Sequence, residues 1–471
     1  MGNVVRSFKP IIDNQSCSIC AVCIRGCSAE IIPAQRKETL SLRGRLYQKY
    51  YGGIKAAPLV KIEKSSNIPP CQRACPLQQD IKEYVHLLAH RKYKEALETI
   101  RKTNALPSVT GYVCTHPCEM ECLRCGVDEA ISIKAMKRFV ADWGHEELTP
   151  DKTGGERGRK VAIIGSGPAG LAAAYDLVRE GHQAEIIEAL PEPGGLLAWA
   201  IPPFRLPREI LNRDIRYIQK MGVTIKTGMK FGADVTLSDL KKNGVEAVIL
   251  AIGTHQALKM GIKNEDGGRS SVDCLIFLRS YIREEPIRIG DHVIVIGGGY
   301  AAVDAARVAV RCGAKEVSIF YRRGPEEMPG KNEVKEGETE GVRVNYLAVP
   351  NKIIRKKGEV QGLEFLRTKL GKTDESGRKK PVPIKGSGFV VRASSIISAV
   401  GQQPDLSWNQ EDLPFQLSPK NTFVVDGDGA TNIEGIFAAG DAVNGPTSIV
   451  EAMASGRRAA RAARAYLSRK G

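Results

Sequence analysis

Ten of the twelve cysteines fall before residue 126, and their spacing carries the most distinctive chemistry of the chain. Cys17-x2-Cys20-x2-Cys23-x3-Cys27 gathers four thiols into one short loop. That is the spacing by which a bacterial-type run wraps a cubane iron–sulfur cluster. A proline commonly follows the last cysteine of such a run, and Ser28 stands there instead. Zinc more often takes separated cysteine pairs, and reduced spectator thiols are the third alternative. Six more cysteines follow as Cys71-x3-Cys75-Pro76 and Cys114-x3-Cys118-x3-Cys122-x2-Cys125. Clustering of this kind reads as metal ligation rather than disulfides. Cys274 and Cys312 stand apart and read as buried spectators.

Two glycine motifs carry a second chemistry. Lys160–Ile164 reads as a buried strand, followed by Gly165-Ser166-Gly167-Pro168-Ala169-Gly170 and an Ala-rich helix. The next strand ends at Glu188. Gly165 allows a tight turn, Gly167 lets a pyrophosphate approach the backbone, and Gly170 lets helix and strand pack closely. Glu188 stands where a carboxylate takes the two ribose hydroxyls. The context favours a dinucleotide over a purely structural glycine turn. The same register recurs at His292–Ile296, Gly297-Gly298-Gly299-Tyr300-Ala301-Ala302 and the strand to Phe320. No acid ends that strand; Tyr321-Arg322-Arg323 follows. Arg322 and Arg323 suit a 2′-phosphate, which favours NADPH over NADH. The alternative is that both arginines simply lie on the surface.

These motifs need elements to hold them. The segment 76–105 shows apolar residues at helical spacing, as two helices, and 131–144 reads as another. From about 160 onward strands alternate with helices, an α/β pattern that starts again near 291. The runs at 356–380 read as hairpin turns on the second unit. The expected fold is α/β, two Rossmann-like domains of the two-dinucleotide-binding flavoprotein kind, preceded by an α-helical iron–sulfur domain. The C-terminal basic helix reads as a solvated face.

Composition narrows the classes. The chain has 471 residues, is 42% hydrophobic and 26% charged, and carries a formal charge of +16. It is long enough for about three domains. No apolar run approaches a membrane span. The N-terminus lacks the apolar stretch of a signal peptide, and Gly2 lacks the downstream Ser or Thr of a myristoylation signal. The expected location is cytoplasmic. The charge is spread along the chain, although residues 1–64 hold 11 basic and 4 acidic residues. This suits an acidic redox partner better than nucleic acid, whose binding signatures are absent.

Further runs indicate a flavin. Pro193-Gly194-Gly195-Leu196-Leu197 can wrap the flavin end. Gly435 to Gly440-Asp441, followed by Thr447-Ser448-Ile449, resembles the second FAD motif of two-dinucleotide-binding flavoproteins. In those the Asp binds the ribityl chain. The helix after it would aim its N-terminus at the flavin N1 and C2 carbonyl.

Residues 61–471 resemble the small subunit of glutamate synthase and its relatives. These include the large subunit of NADH-dependent ferredoxin:NADP oxidoreductase and the electron-input half of dihydropyrimidine dehydrogenase. The matching runs are CPLQQDI, NALPSVTGYVC, PCEMEC, IIGSGPAGLAAAYDL, PGGLLAWAIPPFRLPREI, IGGGYAAVDAARVAVRCGAKEVSIFYRR, EEMPGKNEV and GIFAAGDAVNGPTSIVEA. The resemblance implies a flavoprotein that takes hydride from NADPH and passes electrons to [4Fe-4S] clusters. It also implies an NADP(H) unit inserted in the FAD domain, with Gly253 and Gly401 at the two crossings. Phe204 and Arg205 would help position the flavin.

The expected division is therefore 1–60, an extension with the ferredoxin-like cysteine run; 61–150, a helical [4Fe-4S] domain; 151–287, the first part of the FAD domain; 288–393, the NADP(H) domain; and 394–471, the second part of the FAD domain. Two departures from the family stand out. Ser65, Ser66, Asn67 and Ile68 fill a stretch where relatives carry two more cysteines, and Lys137 occupies an acidic or amide position that serves as a ligand in some relatives. Cys75, Cys114, Cys118 and Cys125 would then bind one cluster, and the N-terminal run would replace ligands lost from a second. The function expected is an electron-transfer subunit of a hetero-oligomer, moving electrons from NADPH to FAD to [4Fe-4S] to a partner. The partner could be a glutamate synthase-type subunit, a ferredoxin or a 2-oxoacid oxidoreductase. The alternatives are an autonomous FAD-dependent reductase of a small molecule and a subunit of an electron-bifurcating transhydrogenase.

Overall fold

The computed structural model describes residues 68–144, 158–265, 270–373, 377–409 and 413–469. The run Cys17, Cys20, Cys23 and Cys27, with the extension 1–60, lies outside the described residues.

The chain first forms short helices around one apolar cluster. The two helices expected over 76–105 are Ile81–Ala89 and Tyr93–Arg101, and the next expected one is Ile133–Gly144. Asp80 caps the first by accepting a hydrogen bond from the Glu83 N–H at 3.1 Å, which satisfies an amide left open at a helix start. Tyr84, Leu97, Ile100 and Leu106 are almost wholly buried between these helices. The helix Pro107–Val113 packs on Ile133–Gly144 and on Arg208–Lys220 of the following unit. The helical region and the first α/β unit thus share one core.

That unit is a five-stranded parallel sheet. Its order is Ile436–Ala438, Val245–Leu250, Lys160–Ile164, Gln183–Ile187 and Thr224–Lys226. Near-continuous Val, Ile and Ala runs suit strands covered on both faces. The chain leaves this sheet after Leu250 and returns to it only at Ile436, which pairs beside Val248. Between lies a second parallel sheet, ordered Ser271–Asp273, Ser395–Ser398, His292–Ile296, Glu316–Tyr321 and Arg343–Tyr346. Gln256–Ala257 pairs antiparallel with Gln402–Gln403 where the chain goes out and comes back. Gly253 and Gly401 flank this ribbon with φ of +65° and +132°.

The expected limits of the second unit, 288–393, need correcting. Ser271–Asp273 and Ser395–Ser398 hydrogen-bond to each other inside the second sheet, so it extends past both limits. A short strand and a helix before the glycine motif carry no periodicity that assigns them to one sheet or the other.

An antiparallel sheet, Ala348–Lys356, Glu359–Thr373, Lys379–Pro383 and Phe389–Arg392, covers one face of the second unit. Lys357 and Gly358 make the expected hairpin turn with φ of +50° and +83°. The C-terminal helix Ile449–Arg469 is only half solvated. Its Ala- and Gly-rich side lies against the helix Pro168–Arg179, and Arg457 Nε donates to Asp176 at 2.7 Å.

Candidate functional site

A cavity of about 910 Å³ lies where the helical region and both α/β units meet. Its lining includes Gly165, Gly167, Pro168, Ala169, Glu188, Gly195, Leu196, Arg205, Gly253, Gly299, Tyr300, Ala301, Ala302, Gly401, Gly440, Asp441, Thr447, Ser448 and Ile449. Residues drawn from six separate stretches of sequence therefore converge on one space.

The first glycine turn is built around Glu188. Its Oε2 accepts from the Ser166 N–H at 2.9 Å and the Ser166 hydroxyl at 2.5 Å, and Oε1 accepts from the Leu190 N–H at 2.8 Å. The Gly194 N–H donates to Ser166 Oγ at 2.9 Å. Ser166 thereby ties the first turn to the Pro193–Leu197 loop. Gly170 lies behind the turn, where a Cβ would stand 2.0 Å from the Gly165 carbonyl oxygen. A Cβ at Gly167 or Gly299 would meet no protein atom within 4 Å. Both helix starts are therefore open for a phosphate to approach the backbone.

Asp441 closes the far side. Its Oδ1 accepts from the Thr447 N–H at 3.1 Å and the Thr447 hydroxyl at 2.8 Å. Burial pushes its carboxyl up to about 6 against those two bonds. Ser448 and Glu451 form a capping box at the start of the long helix. Glu451 Oε2 accepts from the Ser448 N–H at 2.9 Å and its hydroxyl at 2.5 Å, and the Glu451 N–H donates back to Ser448 Oγ at 3.3 Å.

Several lining residues escaped the sequence reading. His255, Arg279, Asp405 and Trp408 stand on the cavity, outside any glycine motif. Burial lowers the His255 pKa, with Glu188 opposing. Trp408 Nε1 and Arg279 Nε are buried with no hydrogen-bond partner. The open glycines and the network around Glu188 fit a dinucleotide flavin.

Phe204 and Arg205 take different places from each other. The Phe204 ring packs against the second unit beneath Arg311, whose guanidinium carbon lies 3.9 Å from the ring centroid. Arg205 reaches the cavity but is held by the second unit. Its Nη1 donates to both carboxylate oxygens of Asp304, at 2.9 and 2.7 Å, and Nη2 donates to Glu333 at 3.4 Å. Gly194 and Gly297 shape turns with φ of +123° and +144°. Arg322 is exposed; Arg323 is buried and donates through Nε to the Lys379 carbonyl at 2.9 Å.

Cys71, Cys75, Cys114 and Cys118 are buried in the core of the helical region. The helix Pro70–Ala74 packs on Pro117–Met120, which brings the two cysteine runs together. Burial raises the Tyr84 hydroxyl well above its ordinary range, and all four thiols, Cys118 foremost, raise it further. Burial also pushes the Cys118 thiol up to about 12, with Lys137 opposing. Gln79 Nε2 donates to Cys75 Sγ at 3.6 Å and the His116 N–H to Cys114 Sγ at 3.3 Å. Such donors favour thiolate sulfur.

Among the described residues no three His, Cys, Asp or Glu form a single-ion site. Four buried thiols supply the number and type of ligand that a [4Fe-4S] cluster would take. Cys122 is buried too, whereas Cys125 is exposed, with its thiol directed to the Glu119 carbonyl at 3.5 Å.

Comparison with known proteins matches residues 159–456 to the pyridine nucleotide-disulphide oxidoreductase family and residues 64–149 to dihydropyrimidine dehydrogenase domain II, 4Fe-4S cluster. The chain is 40% identical to the NADPH-Fe(3+) oxidoreductase subunit beta of Geobacter sulfurreducens, over 84% of its own length and 63% of the relative's. It is 41% identical to the NADP(+)-dependent formate dehydrogenase subunit beta of Moorella thermoacetica, over 84% and 60%. It thus spans about three fifths of those two relatives. It is also 36% identical to the glutamate synthase [NADPH] small chain of Escherichia coli, over 83% and 87%. Among solved structures, Mycobacterium tuberculosis FprA in complex with NADPH shares the fold, with a TM-score of 0.57 at 19% identity, over 66% of this chain and 85% of that one.

Proposed function

This chain belongs to the pyridine nucleotide-disulphide oxidoreductase family, and on that footing we propose that it is the NADPH-oxidising, cluster-bearing subunit of a larger redox assembly. It is an NAD(P)H-dependent oxidoreductase whose cofactors are FAD, NADP(H) and [4Fe-4S]. The proposal adds the direction, NADPH to FAD to [4Fe-4S], and a partner protein as the final acceptor.

One observation supports that route above others. Val113 and Thr115, the two neighbours of Cys114, line the same cavity as the dinucleotide glycines. A cluster held by Cys114 would therefore abut a flavin in that cavity. Bound flavin supplies the conversion between a two-electron hydride and the single electrons that a cluster accepts.

The chain's own residues position and shield. Gly165 and Gly167 admit a pyrophosphate, Glu188 takes ribose hydroxyls, and Asp441 takes the ribityl chain. Gly299 admits the pyrophosphate of NADPH, and the exposed Arg322 takes its 2′-phosphate, whereas Arg323, buried on the Lys379 carbonyl, does not. Cys71, Cys75, Cys114 and Cys118 hold one cluster, and Cys17, Cys20, Cys23 and Cys27 hold a second. No side-chain acid or base is needed for hydride transfer, so the rate rests on alignment.

An anaerobic titration of the isolated chain with NADPH tests this. Loss of flavin absorbance followed by loss of the broad cluster absorbance is expected. Bleaching with NADH but not NADPH would overturn the assignment of Arg322, and flavin bleaching alone would overturn the internal route to the clusters.

A further inference from the structure

The second parallel sheet carries another cavity, of about 440 Å³, between its face and the antiparallel sheet. His292, Glu316 and Arg343 line it, and each is the first residue of its strand. Arg367 and Arg392 reach it from the antiparallel sheet above. Dinucleotides bind outside the carboxyl ends of parallel strands, and Gly297–Gly299 follows the carboxyl end of His292–Ile296. None of its lining residues lines the larger cavity that holds Gly299, so the two cavities are distinct.

Its charge is unbalanced. Three arginines and one carboxylate residue, Glu316, are among its lining residues. Glu316 Oε2 stands 3.6 Å from Arg343 Nη1 and 3.9 Å from His292 Nδ1, both long for charge-assisted bonds. Asp291, within electrostatic reach of Arg392, is engaged by Lys315 Nζ at 2.7 Å. Arg367 lies over the Phe389 ring, 4.8 Å from its centroid, which steadies the guanidinium without neutralising it. Among the described residues neither Arg367 nor Arg392 has a carboxylate in ion-pair contact. The volume suits a small ligand, and planar guanidinium forks match paired anionic oxygens.

We propose that this cavity binds a small multivalent anion, through phosphate or carboxylate oxygens held among Arg343, Arg367 and Arg392. It goes beyond the redox reading, because its lining shares no residue with the cavity assigned to flavin and nucleotide.

Calorimetric titration of the cofactor-loaded full chain at low ionic strength tests it. NADP+ is kept saturating so that the dinucleotide site is filled. One arm uses inorganic phosphate and the other citrate. Saturable one-to-one binding is expected in at least one arm; phosphate alone or citrate alone would support the proposal and name the source of the oxygens. Removing one charged partner should weaken binding by about tenfold or more in R367Q and in R392Q, each with unchanged flavin spectrum and unchanged KM for NADPH. Both arginines are exposed on strands, so neither variant threatens the core. No saturable heat in either arm, or equal affinity in wild type and both variants, would overturn it.

Discussion

The Arg101 guanidinium and the Asp214 carboxylate meet at 3.2 Å in the interface between the helical region and the first α/β unit. Asp214 is wholly buried and also accepts from the Ser108 hydroxyl at 3.1 Å and the Val109 N–H at 3.0 Å. Arg101 in turn lies 3.6 Å from the centroid of the Tyr217 ring. Removing one partner leaves a buried charge uncompensated. Asp214→Ala should cost about 3–5 kcal/mol in denaturant unfolding. A double Arg101→Leu, Asp214→Leu chain should recover part of that loss. If both chains unfold at the wild-type midpoint, the pair does not hold the interface.

Arg205 joins the two α/β units through its paired bonds to Asp304. Lysine keeps the charge but lacks the second nitrogen by which Arg205 reaches Glu333 as well as Asp304. Arg205→Lys should slow flavin reduction by NADPH about ten- to a hundredfold, since misalignment of hydride donor and acceptor is costly. Reduction by dithionite needs no nicotinamide alignment and should be unchanged. Stopped-flow absorbance separates the two.

Gly456 lies where the helix Ile449–Arg469 crosses Pro168–Arg179, and a Cβ there would stand 2.0 Å from the Ala169 carbonyl oxygen. Gly456→Ala must push the helices apart, at a cost of about 1–3 kcal/mol. Both helix starts line the large cavity, so flavin should dissociate more readily. Gel filtration followed by flavin absorbance checks this.

The raised carboxyl of Asp441 carries a pH signature. The folded chain holds a proton up to about 6 that an ordinary Asp has already released. Its contribution to stability is present in full below about pH 4 and is lost as pH rises through about 6. In flavin-free protein, the wild-type melting temperature should fall relative to Asp441→Asn across that window. Parallel curves would mean that Asp441 titrates normally.

Cys118 and Cys125 should separate in iron analysis. Cys118→Ser should lose the iron of one cluster, because its thiol belongs to the buried quartet. Cys125→Ser should retain it, because that thiol is exposed. Equal losses would restore Cys125 to the ligand set, as the departures from the family pattern suggested.

What the sequence discloses follows the range of the interactions. The turn around Gly165 and Gly167 is legible because a strand, three glycines and an acid lie within one short stretch. Gly456, Trp408 and Arg279 were not, because each matters only against residues far away in sequence. Gly456 is one small residue in an Ala-rich helix until Ala169 is placed against it. Arg205 was legible as part of a motif, but its bond to Asp304 was not, since neither residue's periodicity names the other. The strand Ser271–Asp273 is too short to announce which sheet it joins.

The pairing of Ile436–Ala438 with Val245–Leu250 also orders events during synthesis. The second sheet is continuous in sequence and can form while the chain is still emerging from the ribosome. The first sheet must wait with an open edge until its last strand is translated. Asp441 and Thr447 arrive later still, so the flavin cavity is finished only after the inserted unit has been made. A nascent chain stalled before Ile436 should already fold its second unit, yet have no completed place for the flavin.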